Sequence, residues 1–171
     1  IAEALQGENV LLLSAREENY KAVAAAAALA YGQKVGAESA VDINLAKQLN
    51  VLIGQLGVKN ESLVMNLGSA AAGYGFEYVA STMDRVKSAA LAQNDQQLQM
   101  PVVTPVAGEA WSVKESIVSE EDFPAWGPVE TRGIQMEIAT AAACLACGSN
   151  AVILKHPESV KTIAAFIAAL M

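Results

Sequence analysis

The sequence predicts an α/β protein in which parallel strands alternate with helices. Five short apolar runs are separated by stretches with helical periodicity. Of the 171 residues, 53% are hydrophobic and many of these are alanine, which is typical of strands covered on both faces and not of a disordered chain. Connections of this length return the chain to the same end of the sheet, so neighbouring strands are expected to run parallel.

Each predicted element has its own local signal. The strands are predicted at residues 10–13, 34–38, 62–66, 100–104 and 151–154. The helices are predicted at residues 19–30, from a cap at Ser39 or Asp42 to Leu56, and at residues 76–92, 131–146 and 157–170. A long connection over residues 106–130 carries Trp111, Trp126 and the acidic run Glu120-Glu121-Asp122.

An open doubly wound sheet and a closed (β/α)8 barrel both satisfy this alternation. No Gly-x-Gly-x-x-Gly follows the first strand, which removes the main dinucleotide-binding fingerprint. Units of about 30 residues, counted back from the last helix, predict the C-terminal five units of a TIM barrel in a single domain over residues 1–171. The chain opens at Ile1 within what resembles the end of a helix, so three units are expected to be missing. Open strand edges then predict that residues 1–171 form no stable isolated monomer.

The composition excludes several kinds of partner. Lys and Arg total 11 against 18 Asp and Glu, and no basic cluster occurs, so neither nucleic acid nor an anionic membrane is an expected partner. The longest apolar runs are rich in alanine and too short to cross a bilayer. No signal peptide is visible, so a reducing cytoplasm is the expected compartment.

The stretch from Met65 to Tyr78, MNLGSAAAGYGFEY, joins the third strand to its helix. Gly73 and Gly75 allow a flat ligand or a neighbouring chain to approach the backbone closely. Tyr74, Phe76 and Tyr78 gather aromatic surface beside them in a chain that is only 5% aromatic. The same pattern also fits a helix N-terminus whose aromatic side chains pack into the core. We call residues 73–78 the glycine-aromatic turn.

Five short motifs follow one another along the chain: Gly73-Tyr74-Gly75-Phe76-Glu77-Tyr78, Leu98-Gln99-Met100-Pro101, Glu109-Ala110-Trp111 with Lys114-Glu115, Trp126-Gly127 with Arg132-Gly133, and His156-Pro157-Glu158. In this order they resemble the small (delta) subunit of the corrinoid iron–sulfur protein of the acetyl-CoA decarbonylase/synthase system. Residues 1–64 resemble that family only in their pattern of strands and helices.

The resemblance implies a TIM barrel that forms a heterodimer with a large subunit carrying the corrinoid (cobalamin) and a 4Fe-4S cluster. The pair passes a methyl group from methyltetrahydropterin to acetyl-CoA synthase in the reductive acetyl-CoA (Wood–Ljungdahl) pathway, in carbon fixation or methanogenesis. The methyltransferase and acetyl-CoA synthase are implied as transient partners. The small subunit supplies a surface over the corrinoid, binds no cofactor alone and has no catalytic residues of its own.

The predicted cofactor contacts lie at the carboxyl ends of the strands, where such folds carry their sites. They are Gly73, Tyr74, Gly75 and Phe76 of the glycine-aromatic turn, with Asn66 and Thr104 at strand ends. The residues at these ends include no nucleophile–base–orienter set, which favours a docking surface. The alternative is a pterin-binding TIM-barrel methyltransferase, in which Asn66 and Glu38 would hold the pterin ring.

No metal ligands are predicted in this chain. His156 is the one histidine, and it precedes Pro157 and Glu158, a sequence that is typical of a strand-to-helix turn. The alternative role for His156 is an axial ligand to cobalt. Cys144 and Cys147 cannot supply the four ligands of a cluster or structural zinc, and in an alanine-rich helix they act as small apolar residues.

Overall fold

The computed structural model describes residues 1–171, with five strands and seven α-helices; at least one helix follows each strand. The strands are β1 (Leu11–Ala15), β2 (Lys34–Glu38), β3 (Leu63–Asn66), β4 (Val103–Pro105) and β5 (Ala151–Ile153). The helices are α1 (Tyr20–Val23), α2 (Ile43–Gln55), α3 (Phe76–Ala92), α4 (Val106–Ala110), α5 (Lys114–Ile117), α6 (Val129–Ala146) and α7 (Pro157–Leu170). The predicted number, order and parallel direction of the strands are confirmed.

The predicted TIM barrel, or part of one, is wrong. The strands form two separate parallel sheets, one of three strands in the order β1-β2-β3 and one of two strands, β4-β5. A single bridge between Met65 and Val102 is the only pairing between the sheets. Pro101 helps to explain the break: its carbonyl accepts from the amide of Met65 at 2.7 Å, but proline has no amide hydrogen with which to continue the ladder.

Two buried apolar clusters stabilise the fold. The larger holds 20 residues, including Leu49, Met65 and Met83, and packs between the three-stranded sheet and its helices. The smaller holds five residues, among them Val106 and Cys144. The half-buried ring of Phe76, at the start of α3, contacts both clusters. The prediction of a single domain stays a prediction.

Local signals placed most helix ends correctly. The carboxylate of Asp42 accepts hydrogen bonds from the amides of Asn44 and Leu45, as expected of an N-cap. The alanine-rich helix differs from the prediction because α1 continues as a π-helix over Ala24–Leu29. The long connection is also more regular than predicted, since it contains α4, α5 and a 3₁₀ turn at Pro124–Trp126.

Candidate functional site at the carboxyl ends of the strands

The carboxyl ends of β1, β2 and β3 open into a cleft of about 480 Å³. We call it the polar cleft. Its walls come from the ends of the strands, from the loop after β3 and from α4; they comprise Leu13, Ser14, Arg16, Glu38, Ala40, Val41, Asn66, Gly68, Ser69, Pro105, Gly108 and Glu109. In open α/β sheets, ligands bind beyond the carboxyl ends of the strands, and this cleft has that position.

Glu38 is the centre of the polar cleft, because side chains that follow or end two neighbouring strands converge on its carboxylate. Ser14 donates to Oε2 at 2.6 Å, and Asn66 Nδ2 donates to the same oxygen at 3.4 Å. Arg16 donates to Oε1 through Nε at 2.9 Å, and its Nη2 lies 2.7 Å from that oxygen. The Glu38 side chain is only 17% exposed, whereas the Arg16 side chain is 52% exposed. The carboxylate is therefore held in place, and one of its partners stands largely in solvent.

The backbone around the polar cleft is strained. Ser14, Ala40 and Val41 have positive φ angles of 69°, 44° and 59°, a conformation that residues with a Cβ rarely adopt. Two serine hydroxyls in the same region, those of Ser39 and Ser69, are buried without a hydrogen-bond partner. Backbone strain and unsatisfied polar groups are enriched at ligand sites, so both observations make this region a candidate site.

The glycine-aromatic turn lies at the end of the loop that joins β3 to α3 and includes the first residues of α3. Gly73 and Gly75 have φ angles of +84° and +87°, which explains why glycine is required at both positions. The side chains of Tyr74 and Tyr78 are 47% and 68% exposed, so neither is part of the core. Phe76, in contrast, is half-buried and joins the two apolar clusters. The turn thus presents tyrosine rings to solvent while Phe76 anchors it.

A short hydrogen bond fixes Tyr74. Its hydroxyl donates to Oε2 of Glu115 at 2.6 Å. This hydrogen bond raises the pKa of Tyr74 and lowers the pKa of Glu115. The bond ties the glycine-aromatic turn to α5, which is 41 residues further along the chain.

A second cleft of about 530 Å³ lies beside this contact. We call it the aromatic cleft, and its walls are Ala72, Glu115, Trp126, Arg132, Gln135, Met136 and Ala139. The guanidinium of Arg132 donates to the carbonyls of Glu115, Gly127 and Val118 at 2.6, 3.1 and 2.7 Å. Arg132 therefore holds the long connection against α6 and shapes this cleft.

Glu137 organises the turn after β5, a role that the sequence did not reveal. It is fully buried in α6 and accepts from the amides of Lys155 and His156 at 2.5 and 3.1 Å. Burial alone would raise the pKa of Glu137, but Ser159, these two amides and Trp111 together hold the pKa below its ordinary value. The Ser159 hydroxyl and the Trp111 indole nitrogen are buried and form no well-aligned hydrogen bond. Both nevertheless lie close enough to the carboxylate of Glu137 to lower its pKa. One signal was available: Glu137 is a charged residue in an otherwise small and apolar stretch of helix.

His156 closes the turn between β5 and α7, as the sequence predicted. As the N-cap of α7, its Nδ1 accepts from the amide of Glu158 at 3.2 Å, and Nε2 lies 3.2 Å from Oε1 of Glu130. Its ring stacks on Trp111, with 6.0 Å between the centroids. The protein contains no group of three or more His, Cys, Asp or Glu side chains suited to a metal ion. The absence of a bound metal stays a prediction.

The six predicted cofactor contacts divide into four environments, one of which is the half-buried position of Phe76 against both apolar clusters. Gly73, Tyr74 and Gly75 lie on the exposed turn, and Asn66 lies at the polar cleft. Thr104 is fully buried, and its hydroxyl is 2.9 Å from that of Ser149 between β4 and β5. The strand position of Thr104 was clear from sequence, but its inward direction was not. The alternative pair, Glu38 and Asn66, is brought together.

Comparison with known proteins identifies the family. A family model described as the CO dehydrogenase/acetyl-CoA synthase delta subunit matches residues 1–156. The chain belongs to this delta-subunit family. The resemblance recognised from the five sequence motifs is therefore confirmed.

The similar proteins are named as delta subunits of the acetyl-CoA decarbonylase/synthase complex. Subunit delta 2 of Methanosarcina acetivorans is 34% identical over 168 residues, which cover 95% of this chain and 38% of that protein. The Archaeoglobus fulgidus subunit is 34% identical over 95% of this chain and 36% of its own length. The Methanopyrus kandleri subunit is 36% identical over 95% of this chain and 39% of its own length. This chain thus spans less than two fifths of the length of these delta subunits. None of its helices combines the length and apolar character needed to span a membrane.

Proposed function

We propose that this chain is part of a non-catalytic subunit of a corrinoid iron–sulfur methyl-carrier complex. In this proposal, it covers the corrinoid that a large partner subunit carries together with a 4Fe-4S cluster. The complex passes a methyl group from methyltetrahydropterin, either methyltetrahydrofolate or methyltetrahydromethanopterin, to acetyl-CoA synthase. The corrinoid supplies the cobalt chemistry, and the pterin-dependent methyltransferase and acetyl-CoA synthase are transient partners.

The main support for this proposal is that the glycine-aromatic turn is exposed. A corrinoid is a broad disc, largely apolar and fringed with amides, so a covering surface needs flat aromatic area and accessible backbone amides. Tyr74 is half exposed, and the space around Gly73 is open, since a Cβ there would meet nothing within 4 Å. No side chain caps the N-terminus of α3 at Gly75. The amide of Tyr78 donates to the carbonyl of Gly75, but the amides of Phe76 and Glu77 remain available to an amide oxygen of the ligand. These residues fit the proposed ligand.

The absence of a catalytic set supports the non-catalytic part of the proposal. Glu38, the most enclosed carboxylate of the polar cleft, already accepts from Ser14, Arg16 and Asn66. The one histidine of the chain caps a helix through Nδ1. Glu38 lies beside the Ser14 hydroxyl, but His156 contacts neither residue, so the chain forms no Ser–His–acid set. In our proposal, the chain positions the partner's cofactor and excludes water from it.

Substitution of Tyr74 tests the proposal. Since its ring is half exposed, Tyr74→Ala is expected to lower partner affinity or the methyl-transfer rate while the circular dichroism spectrum stays unchanged. The matched control is Phe76→Ala, which removes a ring that packs against both apolar clusters and should reduce the free energy of unfolding by about 3–5 kcal/mol. If Tyr74→Ala leaves methyl transfer untouched and reduces stability as much as Phe76→Ala, the covering role is wrong.

A titration separates this function from the alternative. A pterin-binding methyltransferase would bind methyltetrahydropterin without the large subunit, whereas a covering subunit would not need to. Saturable binding of methyltetrahydropterin to the delta subunit alone, together with methyl transfer that is lost on substitution of Asn66, would favour the alternative and contradict the non-catalytic role.

A further inference from the structure

We propose that the aromatic cleft binds a small organic anion, with the anionic group at Arg132 and an apolar body against Trp126. The chemical class is that of carboxylates carried on an aromatic or aliphatic group, of which the arylacetates are simple members. Such a ligand binds beside the glycine-aromatic turn and not on it, so the inference does not rest on the corrinoid role.

Arg132, in the wall of the aromatic cleft, is a buried cation without an acidic partner. The residue is only 8% exposed, yet its guanidinium forms no ion pair with any carboxylate of the chain. The carbonyls of Glu115, Gly127 and Val118 each accept from one of its five N–H donors, so two donors remain. Carbonyls satisfy hydrogen bonds but carry no net charge, and a buried charge without a counter-ion is costly. A ligand carboxylate at the guanidinium supplies the missing charge.

A second cation stands over the aromatic ring of the same cleft. The ammonium of Lys114 lies 5.5 Å from the centre of the Trp126 ring, the guanidinium carbon of Arg132 lies 5.7 Å from it, and Lys114 also forms no ion pair. Glu115 is the only acidic residue of the walls, and its carboxylate already accepts from the Tyr74 hydroxyl. That hydrogen bond lowers the pKa of Glu115 most and the charge of Arg132 lowers it least, so Glu115 compensates the guanidinium only weakly. The cleft therefore favours an anion, although the whole chain has a net charge of −7.

The rest of the aromatic cleft fits an apolar body. Its volume of about 530 Å³ lies within the range of small-molecule sites. The apolar part of the walls comes from Ala72, Trp126, Met136 and Ala139. Trp126 is 38% exposed, so part of its ring is free to contact a ligand. Mainly apolar walls with a few polar groups that fix the orientation are typical of ligand pockets, and here Arg132 and the exposed Gln135 are such groups.

Titration calorimetry on the complete delta subunit tests the proposal with phenylacetate as the probe. Two control ligands separate the two parts of the ligand. Phenylacetamide keeps the ring but replaces the carboxylate by a neutral amide of similar shape, and acetate keeps the charge without the ring. We expect each control to bind at least about tenfold more weakly than phenylacetate, because the first loses the charged hydrogen bonds to Arg132 and the second loses the apolar contact. The proposal is overturned if phenylacetate does not bind, or if either control binds as tightly.

Substitutions at Gln135 assign the binding to this cleft and leave in place Arg132, whose bonds to three carbonyls hold the long connection. Gln135→Lys adds a cation to the wall and should tighten the binding of phenylacetate several-fold, whereas Gln135→Glu adds an anion and should weaken it several-fold. Lysine and glutamate are both good helix formers, so both variants should fold, and thermal melts check this.

The matched controls are Gln48→Lys and Gln48→Glu, because Gln48 is also exposed and helical but lies in α2, outside the cleft. These two changes should leave the affinity for phenylacetate unaltered. Equal affinities for the two Gln135 variants, the opposite order of their affinities, or changes of the same size at Gln48 would each overturn the proposal.

Discussion

The ring of Trp111 occupies the space that a side chain at Gly133 would need. A Cβ at Gly133 would collide with three atoms of the indole: Cζ3, Cη2 and Cε3. The other contacts of this ring explain why it cannot easily move, since it stacks on His156 and lies 4.9 Å from Nζ of Lys155. The glycine of α6 thus lets the long connection pack against the turn after β5.

We predict that Gly133→Ala destabilises the protein by about 1–2 kcal/mol. Helix propensity alone would favour alanine by up to about 1 kcal/mol, but the collision with Trp111 outweighs that gain. Urea unfolding followed by tryptophan fluorescence measures both the stability and the displacement of the ring. Gly54→Ala is the matched control: Gly54 also lies within a helix, but a Cβ there meets nothing within 4 Å. A variant at Gly133 as stable as that at Gly54 would contradict the prediction.

We predict that Glu137→Gln costs about 1–3 kcal/mol at pH 7. Each carboxylate oxygen accepts one amide, from Lys155 or His156, whereas glutamine offers one oxygen and leaves an amide unpaired. Urea unfolding measures the loss. The exposed change Glu130→Gln should alter stability by less than about 0.5 kcal/mol, because the side chain of Glu130 is 75% exposed.

The same substitution should change how stability depends on pH. The pKa of Glu137 is lowered in the folded state, so its contribution is complete above the ordinary value of 4.5 and is lost as the pH falls through the folded-state pKa. The difference in unfolding free energy between wild type and Glu137→Gln should therefore shrink as the pH falls below 4.5. A difference that stays constant or grows in acid would be inconsistent with a lowered pKa.

The sequence predicted the features that depend on neighbouring residues. The strands appear as short apolar runs, and Asp42 is recognisable as a cap because a short acidic side chain precedes a helical pattern. The arrangement of the strands into two sheets was not predictable in the same way. It depends on the contact of Met65 with Pro101 and Val102, which are far apart from Met65 in sequence.

At the candidate site, too, the sequence placed residues in elements but did not show where their side chains point. Tyr74 could be assigned to the turn but not to solvent, and Glu38 and Asn66 could be assigned to strand ends but not to a shared hydrogen bond. Thr104 was predicted at the site although its hydroxyl faces the core. In a parallel sheet covered on both faces, the apolar pattern does not say which way a polar residue at a strand end points.

We predict that Cys144 resists thiol reagents in the folded protein. It is fully buried, and burial, with a smaller effect of Cys147, raises the pKa of the Cys144 thiol to about 12. Since the thiolate is the reactive form, iodoacetamide at pH 8 should modify the partly exposed Cys147 first. Peptide mapping by mass spectrometry identifies the modified residue. The Cys147→Ser variant should stay unmodified until denaturant is added, and rapid native labelling of that variant would show the prediction to be wrong.

The strained loop after β2 supplies a last prediction, that Ala40→Gly stabilises the protein. Ala40 is exposed and has a φ of +44°, so its methyl group contributes little burial while its Cβ is crowded against the backbone. Relief of this left-handed conformation is worth about 1–2 kcal/mol, against about 0.5–1 kcal/mol for the greater freedom of glycine in the unfolded chain. We therefore expect a net gain of about 0.5–1 kcal/mol in urea unfolding. Ala165→Gly is the matched control, because Ala165 is also exposed but lies within α7, where glycine should cost about 1 kcal/mol. If both substitutions reduce stability equally, the backbone at Ala40 is not strained.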